Sequence, residues 1–263
     1  MAAARSARPA RPPVPRAGSA APTGDRARPA PPPTPSPGAV HEVDTPAGPA
    51  RITWHPAGRP RLTLALGHGA GGGIGAPDLV ALAAALPARG VTIALVEQPW
   101  RVAGKRLAPA PRTLDTAWRA LWPALADPAD DAAGTTTAGT VPPVVAGGRS
   151  AGARVACRTA GETGAIGVLA LAFPLHPPGR AERSRAGELT AVTGAGLPLL
   201  VVQGARDPFG RPQEFPEGID PVTVPAADHA FAVGARSGVD PAETTATIVA
   251  AVADWTLALP AAT

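Results

Sequence analysis

The sequence has 263 residues, of which 45% are hydrophobic and 17% are charged, and its formal net charge is +4 at pH 7. This length and apolar content are enough for one large buried core. They exclude a membrane span, because no apolar run reaches the roughly 18 residues that a membrane helix needs. Cys157 is the only cysteine, which excludes an intrachain disulfide. With no signal-peptide pattern at the start of the sequence, we expect a soluble cytoplasmic protein without membrane partners.

The positive charge is concentrated in the first forty residues. Residues 1–40 contain six arginines and one aspartate, a net charge of +5, which leaves −1 for residues 41–263. A nearly neutral folded part lacks the basic surface that binds nucleic acid, so we expect no such partner for it. Eleven prolines and the lack of aromatic residues predict that residues 1–40 are a disordered, solvated tail. A binding arm for a protein partner is the alternative interpretation of this tail.

Strand-like and helix-like segments alternate after residue 40. Short apolar runs predict strands, and apolar residues spaced three and four apart predict helices. In chain order the segments are a hairpin of two strands (41–45 and 50–54), strand 61–66, helix 77–86, strand 91–96, helix 113–125, a polar loop (127–140), strand 141–146, a helix from 150 to about 160, strands 166–173, 197–203 and 222–224, and helix 241–257. Continuous apolar strands followed by helices predict one α/β domain over residues 41–263, with a mostly parallel sheet covered on both faces.

Residues 148–152 read Gly-Arg-Ser-Ala-Gly and lie between a predicted strand and a predicted helix. In that context GxSxG is the pattern of a nucleophile elbow, in which the serine occupies a sharply turned backbone. The two glycines leave room for the neighbouring strand and helix. Because the chain contains 30 glycines, the pattern alone is a weak signal. Ser150 has the alternative role of an N-cap for the helix that follows.

Two further residues follow predicted strands and complete a candidate catalytic set. Asp207 comes after the strand 197–203, and His229 comes after the last short strand. Because the carboxyl ends of parallel strands meet at one crevice, we expect both to lie near Ser150. Ser150 would attack a carbonyl carbon, His229 would transfer the proton, and Asp207 would orient the imidazole. Asp228 is the alternative acid, but adjacent side chains on an extended backbone rarely face each other, which favours Asp207.

A glycine-rich segment, GHGAGGG, begins at residue 67 directly after a predicted strand. Without the GK[ST] ending of a P-loop or GxGxxG spacing, it is better explained as an oxyanion loop than as a phosphate site. We expect the backbone amides of Ala151 and Ala70 to bind the developing oxyanion. The residues expected to support this loop, the histidine by a hydrogen bond, are His68, Gly69 and Gly71.

Three further residues are candidates for the substrate pocket. Arg101 and Arg106 follow the predicted strand 91–96 and are placed to attract a carboxylate or phosphate, although a solvated charged face is the favoured interpretation. His176 follows the strand 166–173, and solvent exposure is an equally good interpretation. Only about twenty residues lie between strands 166–173 and 197–203, where many lipases have a cap, so we expect a minimal cap.

Four segments, GHGAGGG, GGRSAG, VVQGARDPFG and ADHAF, together resemble α/β-hydrolase-like proteins of the testis-expressed and histone-acetyltransferase-complex-subunit branch, which are similar to dienelactone hydrolases. The resemblance spans Gly67 to Phe231. It implies an α/β-hydrolase fold with Ser150, Asp207 and His229 as a catalytic triad, and it implies no particular substrate. Dienelactone hydrolases use a cysteine nucleophile where this chain has serine, so that reaction is not carried over.

The sequence therefore predicts a serine hydrolase that cleaves an ester, thioester or related acyl bond of a small molecule through an acyl-enzyme intermediate. An acyl transferase is a variant of this hypothesis. The alternative is a non-catalytic α/β-hydrolase-like interaction module, but such a module has no physical need of these three residues at three strand ends. No metal or other cofactor is expected, because the sequence has no HExxH motif and one cysteine cannot form a zinc cluster.

Overall fold

The computed structural model of the chain describes residues 38–126 and 141–260. Most of the predicted tail, residues 1–37, and the predicted polar loop at 127–140 lie outside the described residues. Within the described ranges, no helix is long and apolar enough to cross a membrane.

One eight-stranded sheet runs through the described part of the chain, with strand order β1-β2-β4-β3-β5-β6-β7-β8. The strands are β1 (Val40–Val43), β2 (Ala50–His55), β3 (Leu62–Gly67), β4 (Val91–Glu97), β5 (Val144–Arg149), β6 (Val168–Leu171), β7 (Leu199–Gly204) and β8 (Val222–Val224). The hairpin strands β1 and β2 pair antiparallel with each other, and β2 pairs antiparallel with β4, whereas all other neighbours are parallel. The predicted hairpin and the mostly parallel sheet are therefore confirmed.

Helices cover both faces of this sheet. They are α1 (Pro77–Ala85), α2 (Pro99–Val102), α3 (Pro111–Ala126), α4 (Ala151–Thr163), α5 (Ala186–Gly194) and α6 (Pro241–Ala258), with short 3-10 turns at Pro87–Arg89 and Pro212–Glu214. The core on one face contains Trp118 of α3, Val155 of α4 and Leu189 of α5. The core on the other face contains Leu79 of α1 and Val252 of α6. This arrangement confirms the predicted fold class.

The central strands present small side chains to the face that carries α4. Ala65, Ala146 and Ala170 lie in the core on that face, whereas Leu64 and Leu66 of the same sheet lie in the opposite core. Alternate residues of a strand point to opposite faces, so this pattern separates a face of small residues from a face of large ones. The small side chains let α4 approach the sheet closely, and this close approach sets the geometry of the site at its N-terminus.

Helices α2 and α5 were not predicted from the sequence. Helix α5 lies in the segment of about twenty residues before β7, and only Leu189 and Val192 are buried in it, too few to give a clear helical spacing. It packs against α4 and β7 on one side of the sheet, as expected for a protein with a minimal cap. Strand β6 is shorter than predicted, because Ala172 has φ 44° and leaves the extended conformation.

Candidate active site

The residue between β5 and α4 is Ser150, and its backbone has φ 54° and ψ −110°. Residues other than glycine rarely adopt positive φ, so the surrounding packing must hold this turn in place. A Cβ added at Gly148 would lie 2.6 Å from the carbonyl oxygen of Gly67 on β3, and one added at Gly152 would collide with the same carbonyl. The two glycines of the GxSxG pattern are therefore required because β3 approaches both sides of the turn.

Ser150 lies at the N-cap position of α4, but its side chain makes no capping hydrogen bond to this helix. Instead, its Oγ lies 2.9 Å from Nε2 of His229. Nδ1 of His229 lies 2.7 Å from Oδ2 of Asp207. Because an ionised carboxylate only accepts hydrogen bonds, Nδ1 carries the proton, and Nε2 is left to accept the proton of the serine hydroxyl. The structure thus brings together three side chains whose sequence positions span eighty residues.

Asp207 is completely buried at the end of β7. Its Oδ1 accepts a hydrogen bond from the backbone N–H of Phe209 (2.8 Å), and its Oδ2 accepts one from Nε2 of Gln203 (2.8 Å) as well as from His229. These hydrogen bonds fix the orientation of the carboxylate. The ring of Phe209 packs on the imidazole of His229 at a centroid distance of 4.3 Å.

Asp228, the alternative acid, is exposed and does a different task. Its Oδ1 accepts hydrogen bonds from the backbone N–H groups of Ala230 (2.7 Å) and Ala232 (3.0 Å), which hold the turn that contains His229. Sequence reasoning missed a second support of this turn. A Cβ added at Gly204 would lie 2.6 Å from the carbonyl oxygens of both Ala227 and Asp228, so only glycine lets the turn pack on β7.

The glycine-rich loop after β3 lies beside Ser150. A Cβ added at Gly69 would lie 3.4 Å from Cβ of Ser150. The backbone N–H of Gly72 donates to the carbonyl of Gly69 (3.3 Å), which closes a turn with Ala70 and Gly71 exposed at its tip. The amide of Ala151 belongs to the first turn of α4, where backbone N–H groups have no acceptor within the helix. The structure therefore places the glycine-rich loop next to Ser150, and the oxyanion role of Ala151 and Ala70 stays a prediction.

His68 supports this loop with both ring nitrogens. The backbone N–H of Gln98 donates to Nε2 (3.3 Å), so Nδ1 carries the ring proton and donates to the carbonyl of Gly69 (2.9 Å). Burial lowers the pKa of His68, which favours the neutral ring that this pattern requires. The ring also packs against Trp100 at a centroid distance of 5.5 Å. With both ring nitrogens engaged, His68 supports the loop through a hydrogen bond, as expected from the sequence.

Two cavities share the lining residues Gln98, Trp100 and Leu114. The smaller cavity, of about 10 Å³, is also lined by His68 and Ala151, so it reaches the nucleophile turn. The larger cavity, of about 140 Å³, is also lined by mostly apolar residues, namely Ala47, Gly48, Pro49, Pro99, Ala103, Lys105, Leu107, Pro109 and Thr113. Of these two cavities, only the smaller is lined by Ala151, the residue that follows Ser150.

The three predicted pocket residues occupy different environments. Arg101 is exposed beside the glycine-rich loop, since a Cβ added at Gly73 would lie 3.3 Å from its Nε. Arg106 is exposed in the loop that follows α2. His176 is buried rather than solvent-exposed, and its backbone N–H donates to the carbonyl of Phe209 (3.0 Å), next to the triad acid. A role of these residues in substrate binding stays a prediction.

Cys157 lies on α4, seven residues beyond the nucleophile turn, and it is buried. Burial raises the pKa of its thiol, which keeps the group protonated and a poor nucleophile. The cysteine is therefore a small apolar core residue, as its position on the predicted helix indicates.

A buried ion pair beside the triad was not anticipated from the sequence. Nη2 of Arg149 donates a 2.5 Å hydrogen bond to the backbone carbonyl of His229. Nε of the same guanidinium lies 3.2 Å from Oδ2 of Asp78, whose side chain is only 1% exposed. Burial raises the pKa of Asp78, and the charge of Arg149 partly offsets this effect. The signal available in the sequence was a charged residue at the second position of GxSxG, at the end of an apolar strand.

A family model described as an alpha/beta hydrolase domain matches residues 60–257. A solved α/β serine hydrolase without a lid from Xanthomonas campestris is similar to this chain, with 19% identity and a TM-score of 0.58 over 86% of this chain and 97% of that one. A dienelactone hydrolase from Anabaena variabilis has 15% identity and a TM-score of 0.61 over 86% and 99% of the two chains. Est1E from Butyrivibrio proteoclasticus has 13% identity and a TM-score of 0.58 over 83% and 99%.

Because these identities are low, the similarity to the solved structures shows a shared fold and nothing about the activity. Among curated proteins, no sequence is significantly similar to this chain.

Proposed function

Because this chain belongs to the alpha/beta hydrolase domain family, we propose that it is a serine hydrolase that cleaves an ester, thioester or related acyl bond of a small molecule. One observation carries the proposal: Ser150, His229 and Asp207 form a continuous hydrogen-bonded chain, with distances of 2.9 Å and 2.7 Å. Within the family, we further propose that the chain belongs to the testis-expressed and histone-acetyltransferase-complex-subunit branch, which its four sequence segments resemble.

The proposed reaction begins when Ser150 Oγ attacks the carbonyl carbon of the substrate while Nε2 of His229 takes the hydroxyl proton. The negative charge that develops on the carbonyl oxygen is bound by the amides of Ala151 and Ala70. Removal of one such donor typically costs about 3 kcal/mol of transition-state stabilisation. His229 then protonates the leaving group, and an acyl-serine ester remains.

Hydrolysis of the acyl-enzyme repeats these steps with water as the nucleophile. His229 removes a proton from the water, the acyl–serine bond breaks, and Ser150 recovers its proton. Asp207 holds the imidazole tautomer throughout and stabilises the imidazolium that forms in each step. Replacement of water by another acceptor would give acyl transfer with the same residues.

The nature of the site, rather than any relative's substrate, supports the proposed substrate class. The similar structures include an enzyme named dienelactone hydrolase and Est1E, which has also been solved with ferulic acid bound. This chain differs from dienelactone hydrolases in having a serine nucleophile, so ester-like acyl compounds are the better candidates. In the segment before β7, helix α5 packs against α4, which favours a substrate that enters an open crevice.

Labelling with a fluorophosphonate probe tests the proposal directly. The probe reacts with a serine only when a general base activates it, so the folded protein should be labelled once, and Ser150→Ala should abolish labelling. Ser184→Ala, which removes a hydroxyl outside the site, is the matched control and should be labelled like the wild type. A folded wild-type protein that resists the probe and a panel of acyl esters would favour the non-catalytic interaction module.

A further inference from the structure

We propose that Arg149 is a positioning residue for His229, and that the buried carboxylate of Asp78 holds Arg149 in place. This inference rests on the proposed function, because it assigns Arg149 a task within the same site. Arg149 is the variable residue of the GxSxG pattern and directly precedes the nucleophile. Its side chain is 13% exposed, which leaves little of the guanidinium available to bind a ligand from solution.

The guanidinium of Arg149 contacts three elements besides its own strand. Nη2 donates to the carbonyl of His229, and Nε lies beside the carboxylate of Asp78 in the first turn of α1. Nη1 lies next to the oxyanion loop, since a Cβ added at Gly69 would be 3.4 Å from it. One planar group thus connects the nucleophile turn, the histidine turn, α1 and the oxyanion loop. Its five N–H donors, arranged in a rigid fork, suit this connection better than the single ammonium of a lysine.

The turn that carries His229 needs such support because its backbone is strained. Ala226 has φ 56° and Phe231 has φ 54°, and residues other than glycine rarely adopt these angles. The hydrogen bond from Arg149 holds this turn at the residue that supplies the general base. A hydrogen bond from a charged donor is stronger than one between neutral groups. We infer that without Arg149 the imidazole would leave its 2.9 Å contact with Ser150 for part of the time.

Asp78 supports these contacts because its carboxylate balances the charge of Arg149 and orients the guanidinium. Its carboxylate is buried at the start of α1, and Arg149 is the cation in ionic contact with it, although the two groups lack the alignment of a hydrogen bond. Removal of either charge leaves the other buried without its partner, which is unfavourable. Arg149 and Asp78 should therefore act as a unit, and their effects on catalysis should not be additive.

The test compares Arg149→Met, Arg149→Lys and Asp78→Asn with Arg119→Met as the matched control. Arg119 forms an exposed ion pair with Glu162 on the side of α3, far from the proposed chemistry, so its kcat should equal that of the wild type. For Arg149→Met we expect kcat to fall roughly 10- to 100-fold while KM stays within about twofold, since a small displacement of a catalytic group costs about that much. Arg149→Lys should recover only part of the loss, and the double variant with Asp78→Asn should be no worse than Arg149→Met.

A second measurement follows the histidine itself and needs no substrate. The Nδ1 proton that His229 shares with Asp207 should give a low-field proton NMR resonance in the wild type and in Arg119→Met. We expect this resonance to broaden or disappear in Arg149→Met and Asp78→Asn, even at temperatures where circular dichroism shows both variants folded. A purely structural role would lower the melting temperature and leave both the resonance and kcat of the folded protein unchanged, and that result would overturn the proposal.

Two other outcomes are distinguishable from these. A rise of KM for anionic esters alone in Arg149→Met, with kcat unchanged, would make Arg149 a substrate-binding residue and would also overturn the positioning role. Retention of full esterase activity in Ser150→Ala would contradict the proposed function instead. Asp78→Asn retains the arginine, so it can be used if Arg149→Met fails to fold. An unchanged Nδ1 proton resonance of His229 in folded Asp78→Asn would count against the positioning role even if the proposed function is wrong.

Discussion

Ser150 and His229 share one hydrogen bond, but the structure holds these two residues in different ways. The nucleophile turn is held by excluded volume, because the β3 backbone lies so close that Gly148 and Gly152 tolerate no side chain. The histidine turn is held mainly by hydrogen bonds, from Asp228 within the turn and from Arg149 across it. We therefore expect substitutions at the nucleophile turn to lower stability, whereas substitutions at the histidine turn should lower activity.

The largest expected effect is loss of Asp207, the proposed triad acid. Asp207→Asn keeps the size of the side chain but favours the wrong tautomer of His229, so kcat should fall by about 10⁴-fold. Asp228→Asn keeps an oxygen that accepts the same backbone hydrogen bonds and should leave kcat within about twofold of the wild type. Steady-state kinetics on an activated ester would measure both. Equal losses in the two variants would mean that Asp228 shares the task of the acid.

At the nucleophile turn we expect the largest loss of stability. Gly152→Ala drives a methyl group into the carbonyl of Gly67, and overpacking of this kind typically lowers the free energy of unfolding by about 1–3 kcal/mol or more. Gly161→Ala on the same helix meets open space, and it should stabilise the protein by about 0.5–1 kcal/mol, since alanine favours the helix. Urea denaturation would compare the two variants. Similar stabilities would contradict the excluded-volume argument.

At the histidine turn we expect a larger loss of activity than of stability. Gly204→Ala pushes the turn away from β7, because the added Cβ would approach the carbonyls of Ala227 and Asp228. Asp228 and Ala230 are exposed, so this part of the turn can move outward, and we expect a loss of kcat on the order of 10²-fold, with a smaller loss of stability than in Gly152→Ala. Kinetics and urea denaturation on one preparation would separate the two quantities. A variant that unfolds as readily as Gly152→Ala would remove the distinction between the two turns.

The smallest expected effect concerns the oxyanion loop, which is held by hydrogen bonds like the histidine turn. Burial lowers the pKa of His68 below 6.5, so below that pH the unfolded chain binds more protons than the folded one. Stability should therefore fall as pH falls from about 6.5, and His68→Gln should make this slope shallower. His55, whose pKa burial also lowers, should retain part of the slope. An unchanged slope in His68→Gln, measured by denaturation between pH 5 and 8 against His41→Gln as control, would contradict the neutral supporting role.

Most strands and the long helices could be predicted from the sequence, because burial imposes a local periodicity. The strand 91–96, for example, is observed as Val91–Glu97, and the hairpin is found within a residue or two of its expected ends. Helix α5 could not be predicted, since its two buried residues acquire a partner only when α4 and β7 are in place. The pairing of β2 with β4 likewise depends on a contact that no local pattern encodes.

By itself, the sequence determined the chemistry of the candidate site. It placed a serine, an aspartate and a histidine at the ends of separate strands, in an order that one sheet could bring together, and it provided glycines where the backbone must turn sharply. Only the tertiary structure decided that Asp207 rather than Asp228 meets His229, and that Arg149 and Asp78 support it. The physical reason is that these contacts join residues 22 to 80 positions apart in the sequence, and their geometry exists only after the sheet has formed.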